Sequence, residues 1–171
     1  QRGGDATHHI GHLALDDTLE RRWSADLGTG NASTSRIVSP PVVDGGRVFA
    51  ADARARVQAF DLDTGERLWR RDFELASDRR LGAGIAADGG GVFVATARGE
   101  VAALDAGSGE VVWSTELDAP VRAAPTLAGR FVVVLTADNQ TFALDAVNGT
   151  VLWTHQGFAE PSALLGGPSP A

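Results

Sequence analysis

Three histidines stand close together near the start of the chain. His8, His9 and His12 place three imidazoles within five residues, a spacing that suits Zn²⁺ or Ni²⁺. No carboxylate partner on a rigid element accompanies them, so a solvated loop is expected there rather than a metal centre. Gly82-Ala83-Gly84-Ile85-Ala86-Ala87 matches the relaxed G-x-G-x-x-A fingerprint of dinucleotide-binding turns. That chemistry needs a helix after the glycines, whereas Asp88-Gly89-Gly90 follows, a hairpin signal. The small residues are therefore expected in a crowded inner strand. Asn31-Ala32-Ser33, Asn139-Gln140-Thr141 and Asn148-Gly149-Thr150 are formal glycosylation sequons, and each is expected to act as a turn. Arg70-Arg71 and Arg79-Arg80 are expected on solvated rims.

Composition removes other chemistries. The 171 residues include no Cys and no Met, and all 15 basic residues are Arg. Schiff-base and P-loop lysines are thereby excluded. So are disulfides, thiolate nucleophiles, Cys-bound zinc and iron–sulfur clusters. The formal net charge of −7 argues against a nucleic-acid partner. No stretch approaches the ~20 apolar residues of a membrane-spanning helix. The chain opens on Gln1 without an apolar run behind a basic start, so a signal peptide is expected to be absent or already removed. Leu164 to Ala171 reads as a strand or loop interrupted part-way. A piece of a longer protein is expected.

The elements that would position any site come from a repeat. Ala59-Phe60-Asp61-Leu62-Asp63-Thr64-Gly65-Glu66-Arg67-Leu68-Trp69 returns as Ala103-Leu104-Asp105-Ala106-Gly107-Ser108-Gly109-Glu110-Val111-Val112-Trp113. It returns again as Ala143-Leu144-Asp145-Ala146-Val147-Asn148-Gly149-Thr150-Val151-Leu152-Trp153, and Trp23 marks a degenerate earlier copy. The spacing of about 40–50 residues, filled only by short strands, predicts propeller blades. Each copy runs from a small-residue strand (39–43, 84–87, 123–127) through a tight turn to a β-branched strand. A third strand then leads through Asp-x-x-x-Gly to a fourth that carries Trp. No amphipathic helix is expected.

The motif residues have structural roles. Asp61, Asp105 and Asp145 can accept turn N–H groups, and Gly65, Gly109 and Gly149 can supply positive φ. Each Trp can bury ~150–250 Å². At ~25 cal/mol per Å² that is an upper bound of about 4–6 kcal/mol. Trp23, Trp69, Trp113 and Trp153 are therefore expected to pin one blade to the next.

At these residues the chain resembles the pyrroloquinoline-quinone (PQQ)-type β-propeller repeat, whose tryptophan-docking motif is Ala-x-Asp-x-x-Thr-Gly-x-x-x-Trp. Residues 59–69 match every motif position, while Ser108 and Asn148 replace Thr in the later copies. The resemblance covers about residues 37–156. It implies an all-β fold of four-stranded antiparallel blades, and it serves both quinone dehydrogenases and non-enzymatic scaffolds.

A second resemblance narrows this. His12-Leu13-Ala14-Leu15, Arg21-Arg22-Trp23-Ser24-Ala25-Asp26 and Ser35-Arg36-Ile37-Val38-Ser39-Pro40-Pro41-Val42 are similar to the N-terminal region of one family. That family is the propeller lipoproteins of the outer-membrane β-barrel assembly machinery. It implies eight blades, with residues 1–36 holding a ring-closing strand near 19–23. Blades follow at 37–80, 81–121 and 122–160, and 161–171 starts a fourth. It further implies a periplasmic location on the outer membrane and a lipid anchor upstream. Ser162, Leu164 and Leu165 would contact the periplasmic repeats of the machinery's central outer-membrane subunit. The family has Arg beside the Leu pair where this chain has Gly166. The alternative, Leu164 and Leu165 as core of the fourth blade, stays open.

The reading is a non-catalytic scaffold without cofactor or metal. A quinone dehydrogenase fragment and a generic ligand-binding propeller are the alternatives. The dehydrogenases commonly use an adjacent-Cys disulfide, and this chain has no Cys. Self-association through open blade faces is also expected, because exposed apolar faces drive association.

Overall fold

The computed structural model describes residues 20–33, 35–73, 80–121 and 123–158. Every regular element among them is a strand. In chain order these are β1 (Ser35–Arg36), β2 (Val42–Asp44), β3 (Arg47–Ala51), β4 (Arg56–Asp61) and β5 (Arg67–Asp72). β6 (Arg80–Leu81), β7 (Gly84–Asp88), β8 (Gly91–Ala95), β9 (Glu100–Asp105) and β10 (Val111–Glu116) follow. β11 (Thr126–Ala128), β12 (Phe131–Leu135), β13 (Gln140–Asp145) and β14 (Val151–Gln156) complete the set.

Twelve of these strands form three four-stranded meanders, β2-β3-β4-β5, β7-β8-β9-β10 and β11-β12-β13-β14, each antiparallel throughout. They are the blades of a β-propeller. The first hairpin shows why the chain reverses so sharply. Gly45 and Gly46 have φ of 53° and 73°, the two positive values that a tight hairpin turn demands. β1 and β6 add a short parallel pair, Ser35 opposite Arg80 and Arg36 opposite Leu81.

The innermost strands of blades 1 and 3 are shorter than the sequence predicts. β2 begins at Val42 rather than Ser39, and β11 at Thr126 rather than Ala123. Pro40-Pro41 and Pro125 precede them, and proline has no N–H for a ladder. Blade 2 has no proline there, and β7 runs for five residues.

The core lies between blades. One cluster joins Phe49, Val57, Ala59 and Trp69 of blade 1 to Ile85, Val92, Val94 and Leu104 of blade 2. A second joins Phe93, Val101, Ala103 and Trp113 of blade 2 to Val132, Val134 and Leu144 of blade 3. Successive residues of β8 thus face opposite neighbours, Val92 and Val94 one way, Phe93 and Ala95 the other, as the period of two requires.

The expected ring-closing strand at 19–23 lies partly outside the described residues. Residues 20–27 form no strand with the three blades.

Candidate functional site

The repeated unit is a socket and a plug. In blade 2 the Asp105 Oδ1 accepts N–H bonds from Gly107 (3.1 Å) and Ser108 (2.8 Å) and the Ser108 hydroxyl (2.9 Å). Asp61 does the same with Asp63 N, Thr64 N and the Thr64 hydroxyl at 3.0, 2.8 and 2.9 Å. In blade 3 Asp145 accepts Val147 N at 2.9 Å and pairs with Arg130, while Asn148 takes the Thr150 N–H at 2.9 Å. Backbone N–H groups come first in holding all three carboxyls below the usual range. A carboxylate receiving such donors is favoured in its charged form.

Each turn ends on a glycine that receives the Trp of the preceding repeat. Trp69 Nε1 donates to Ala106 O (2.9 Å), and Trp113 Nε1 to Ala146 O (3.0 Å). Trp23 makes the same bond to Leu62 O (2.8 Å). A Cβ on Gly65, Gly109 or Gly149 would stand 2.5, 2.6 or 2.4 Å from the ring it receives. The backbone there has φ of 71–73°. Only glycine meets both requirements.

The Trp is aimed by its own blade. β5, β10 and β14 each carry a bulge immediately before it, leaving Leu68, Val112 and Leu152 outside the pairing register. A bulge bends the strand and re-aims the next side chain. The motif Ala then lies directly opposite the Trp, with an aromatic beyond it. Trp69, Ala59 and Phe49 form one row, and Trp113, Ala103 and Phe93 another. Ring centroids meet across the alanine at 5.9 and 6.2 Å. In blade 3 the row is Trp153, Ala143 and Val133.

Two partners were not legible in the motif. Two residues after the Trp, Arg71 Nε donates to Gly109 O (3.0 Å) and Thr115 Oγ1 to Gly149 O (2.8 Å). Arg71 is therefore an inter-blade tie and not the solvated rim residue expected, whereas Arg70 pairs with Asp72 on the exposed face. Asp52, with no exposed surface, takes the Arg56 side chain, the Arg54 and Arg56 N–H groups, and the Thr29 N–H. Burial pushes its carboxyl up, but these donors, Arg56 foremost, hold it below the usual range. Thr96 and Thr136 occupy the same place in blades 2 and 3, so the acid is peculiar to the blade that receives residues 27–29.

The remaining candidates divide. Gly84 lies at the start of β7, and a Cβ there would meet Ala124 Cα at 2.5 Å, so the glycine-rich run serves close packing of inner strands. Asn31, Asn139 and Asn148 all hydrogen-bond to backbone, and Asn139 has φ of 64°. His8, His9, His12, Arg79, Ser162, Leu164 and Leu165 lie outside the described residues. Among the described residues the exposed apolar side chains include the bulge residues Leu68, Val112 and Leu152, each at least 40% exposed, as well as Val43 on β2, Val147 in the last docking turn (77%), Trp153 (45%) and Phe158 (94%).

Comparison with known proteins bears on what this frame serves. The family described as "Outer membrane protein assembly factor BamB" matches residues 13–77 and, in an overlapping second match, 53–171. The chain belongs to the BamB family. A BamB of Alkalilimnicola ehrlichii is 44% identical over 75 residues, covering 44% of this chain and 18% of that protein. The crystal structure of BamB from Moraxella catarrhalis superposes with a TM-score of 0.60 at 29% identity, covering 77% of this chain and 41% of that one. A quinohemoprotein alcohol dehydrogenase of Pseudomonas putida superposes with a TM-score of 0.63 at 22% identity, over 71% of this chain and 20% of the enzyme, a likeness of fold. The chain thus spans less than half the length of these BamB relatives.

Proposed function

We propose that this chain is the blade 1–3 portion of a non-catalytic scaffold in outer-membrane β-barrel protein assembly. The observation that carries the reading, beside membership of the BamB family, is the use made of the repeat acids. Asp61, Asp105 and Asp145 all spend their carboxylates on turn N–H groups and hold sockets for tryptophan. They build a frame, and its outer strands leave the bulge residues Leu68, Val112 and Leu152 exposed beside charged residues such as Arg70 and Asp72. Its work is recognition: blade connections dock a partner and the packed blades hold the spacing.

The partner in this reading is the set of periplasmic repeats of the machinery's central outer-membrane subunit. Ser162, Leu164 and Leu165, in the connection after blade 3, are the proposed contact. The location is the periplasmic face of the outer membrane, with a lipid anchor upstream. Self-association through open blade faces belongs to the same proposal, since blade 3 leaves Val151, Leu152 and Trp153 exposed.

Calorimetric titration of the full-length parent with the isolated periplasmic repeats tests the reading, beside a Leu164→Ala, Leu165→Ala double variant. Micromolar or tighter binding, lost in the variant with the fold intact, is the expected result. No binding by the intact parent, or quinone-like absorbance in it, overturns the scaffold function and leaves the fold unchanged.

A further inference from the structure

We propose that Asn148 is a deamidation site whose reactivity is gated by the contact between blades 2 and 3. The chain holds three asparagines, Asn31, Asn139 and Asn148, and only Asn148 precedes a glycine. Asparagine is among the chemically labile residues. It deamidates when the main-chain nitrogen of the next residue attacks its carboxamide carbon, and glycine has no Cβ to crowd that approach. Thr64 and Ser108 hold the same place in the other two docking turns, and their hydroxyls offer no electrophilic carbon.

Both reactants stand in the turn of blade 3. Asn148 is exposed, and its Oδ1 accepts the Thr150 N–H at 2.9 Å, a bond that polarises the carboxamide. The Thr64 and Ser108 hydroxyls take the corresponding N–H groups of Glu66 and Glu110 at 3.2 Å. The carboxamide thus does the work of a hydroxyl, which explains its presence beside the glycine.

What the fold withholds is the nucleophile. The Gly149 N–H donates to Asp145 O at 2.8 Å. Gly149 is buried, with φ of 73°, and a Cβ on it would stand 2.4 Å from the Trp113 ring. Thr115 Oγ1 holds its carbonyl at 2.8 Å. To reach the Asn148 carbon, the peptide must rotate, break the bond to Asp145 and carry Gly149 off its seat. A buried, hydrogen-bonded amide is freed by local opening. The reaction therefore waits until Trp113 and Thr115 leave the turn.

The chemistry needs water as its one co-reactant. Gly149 N loses its proton and bonds to Asn148 Cγ, the Cγ–Nδ2 bond breaks, and ammonia leaves a cyclic imide. Water then opens the ring at either carbonyl. Opening at Cγ gives aspartate on the ordinary backbone, with an oxygen still available to the Thr150 N–H. Opening at the main-chain carbonyl gives isoaspartate, whose backbone is one carbon longer. The added carbon shifts Gly149, and a turn without room for a Cβ does not readmit Trp113. Isoaspartate at this position is a permanent record that blades 2 and 3 have parted.

Ageing the full-length parent in mildly alkaline buffer, with and without urea, tests this. Peptide mass mapping reads deamidation at Asn148, and an isoaspartyl methyltransferase assay reads the isoaspartate. The folded protein is expected to react at least about tenfold more slowly than the chain in urea. Thr115→Val, which removes one tie to Gly149, is expected to accelerate the folded rate about fivefold, the worth of one hydrogen bond. Its circular dichroism should match that of the unmodified protein. Trp113→Ala, which empties the seat, is expected to approach the rate in urea. Asn148→Ser, the blade 2 residue, should lose the signal at this peptide. A folded rate equal to the rate in urea, or an unaccelerated Thr115→Val or Trp113→Ala, overturns the gate. No product at Asn148 in urea overturns the site itself.

Discussion

Trp69 lies against the Cα of Gly109, so close that a Cβ added to the glycine would stand 2.6 Å from the indole ring. The same two blades are tied twice more, by the Trp69 N–H to Ala106 O and by Arg71 to Gly109 O. The contact between two blades therefore depends on a missing methyl group.

Gly109→Ala measures that dependence. The added carbon must displace the ring, which costs about 1–3 kcal/mol as overpacking. It must also hold φ near 71°, which adds about 1–2 kcal/mol. The matched control is Gly129→Ala, where φ is 60° but nothing lies within 4 Å of the new carbon. Urea unfolding should show the control losing only the backbone part. Equal losses at the two sites would remove the steric account.

The tryptophans should not be equivalent. Trp113, 8% exposed and plugged into blade 3, should cost about 3–5 kcal/mol on truncation to alanine. Trp153, 45% exposed, should cost well under half as much at concentrations where the chain is monomeric. Chemical denaturation of the two variants side by side decides it.

Ala103 is the spacer between Trp113 and Phe93, and it is 3% exposed. Ala103→Leu should lose about 1–3 kcal/mol by forcing the rings apart. Near-ultraviolet circular dichroism should report the disturbed aromatic pair. An unchanged spectrum and midpoint would show that the row tolerates a larger residue.

Asp52 closes blade 1 onto the N-terminal segment. Asp52→Ala leaves Arg56 without its carboxylate and the Thr29 N–H without its acceptor. A loss of about 2–3 kcal/mol is expected, below the cost of a fully buried pair because Arg56 keeps 22% exposure. Amide exchange at Thr29 should accelerate, and amides in blade 3 should not. Uniform acceleration would mean that Asp52 holds the whole arc rather than one segment.

Acid should weaken the fold through the docking turns. Asp61, Asp105 and Asp145 have carboxyls held below the usual range by turn donors. A depressed folded value means stability that is present above the ordinary carboxylate range and is lost as pH falls through the folded value. Urea midpoints should therefore be level near neutrality and fall only in acid. Asp105→Asn, which keeps the acceptor oxygen and drops the charge, should make that fall shallower. If the midpoint of the Asp105→Asn chain falls just as steeply, the acid sensitivity lies elsewhere.

Much of this was readable from one dimension. The recurrence of Ala, Asp, Gly and Trp at fixed offsets determined the strand count per repeat, the turns and the fold class. Hairpin turns and period-two burial are local consequences of residue type, so they survive translation from sequence to structure. The prolines shortened β2 and β11 for an equally local reason, the missing N–H, although the small-residue pattern alone overran them.

What only the tertiary structure decided is who meets whom. The motif marks each Trp as a pin between blades but does not say that its seat is the docking-turn glycine of the next repeat. That follows from the packing of one sheet on another, about 40 residues away along the chain. Arg71 looked like a rim charge because its acceptor, a backbone carbonyl, leaves no trace in side-chain patterns. Asp52 carried no signal in the sequence, because its partner Thr29 lies in another segment. Local conformation is set by each residue's own sterics and hydrogen-bonding groups, whereas these contacts exist only once separate blades have been brought face to face.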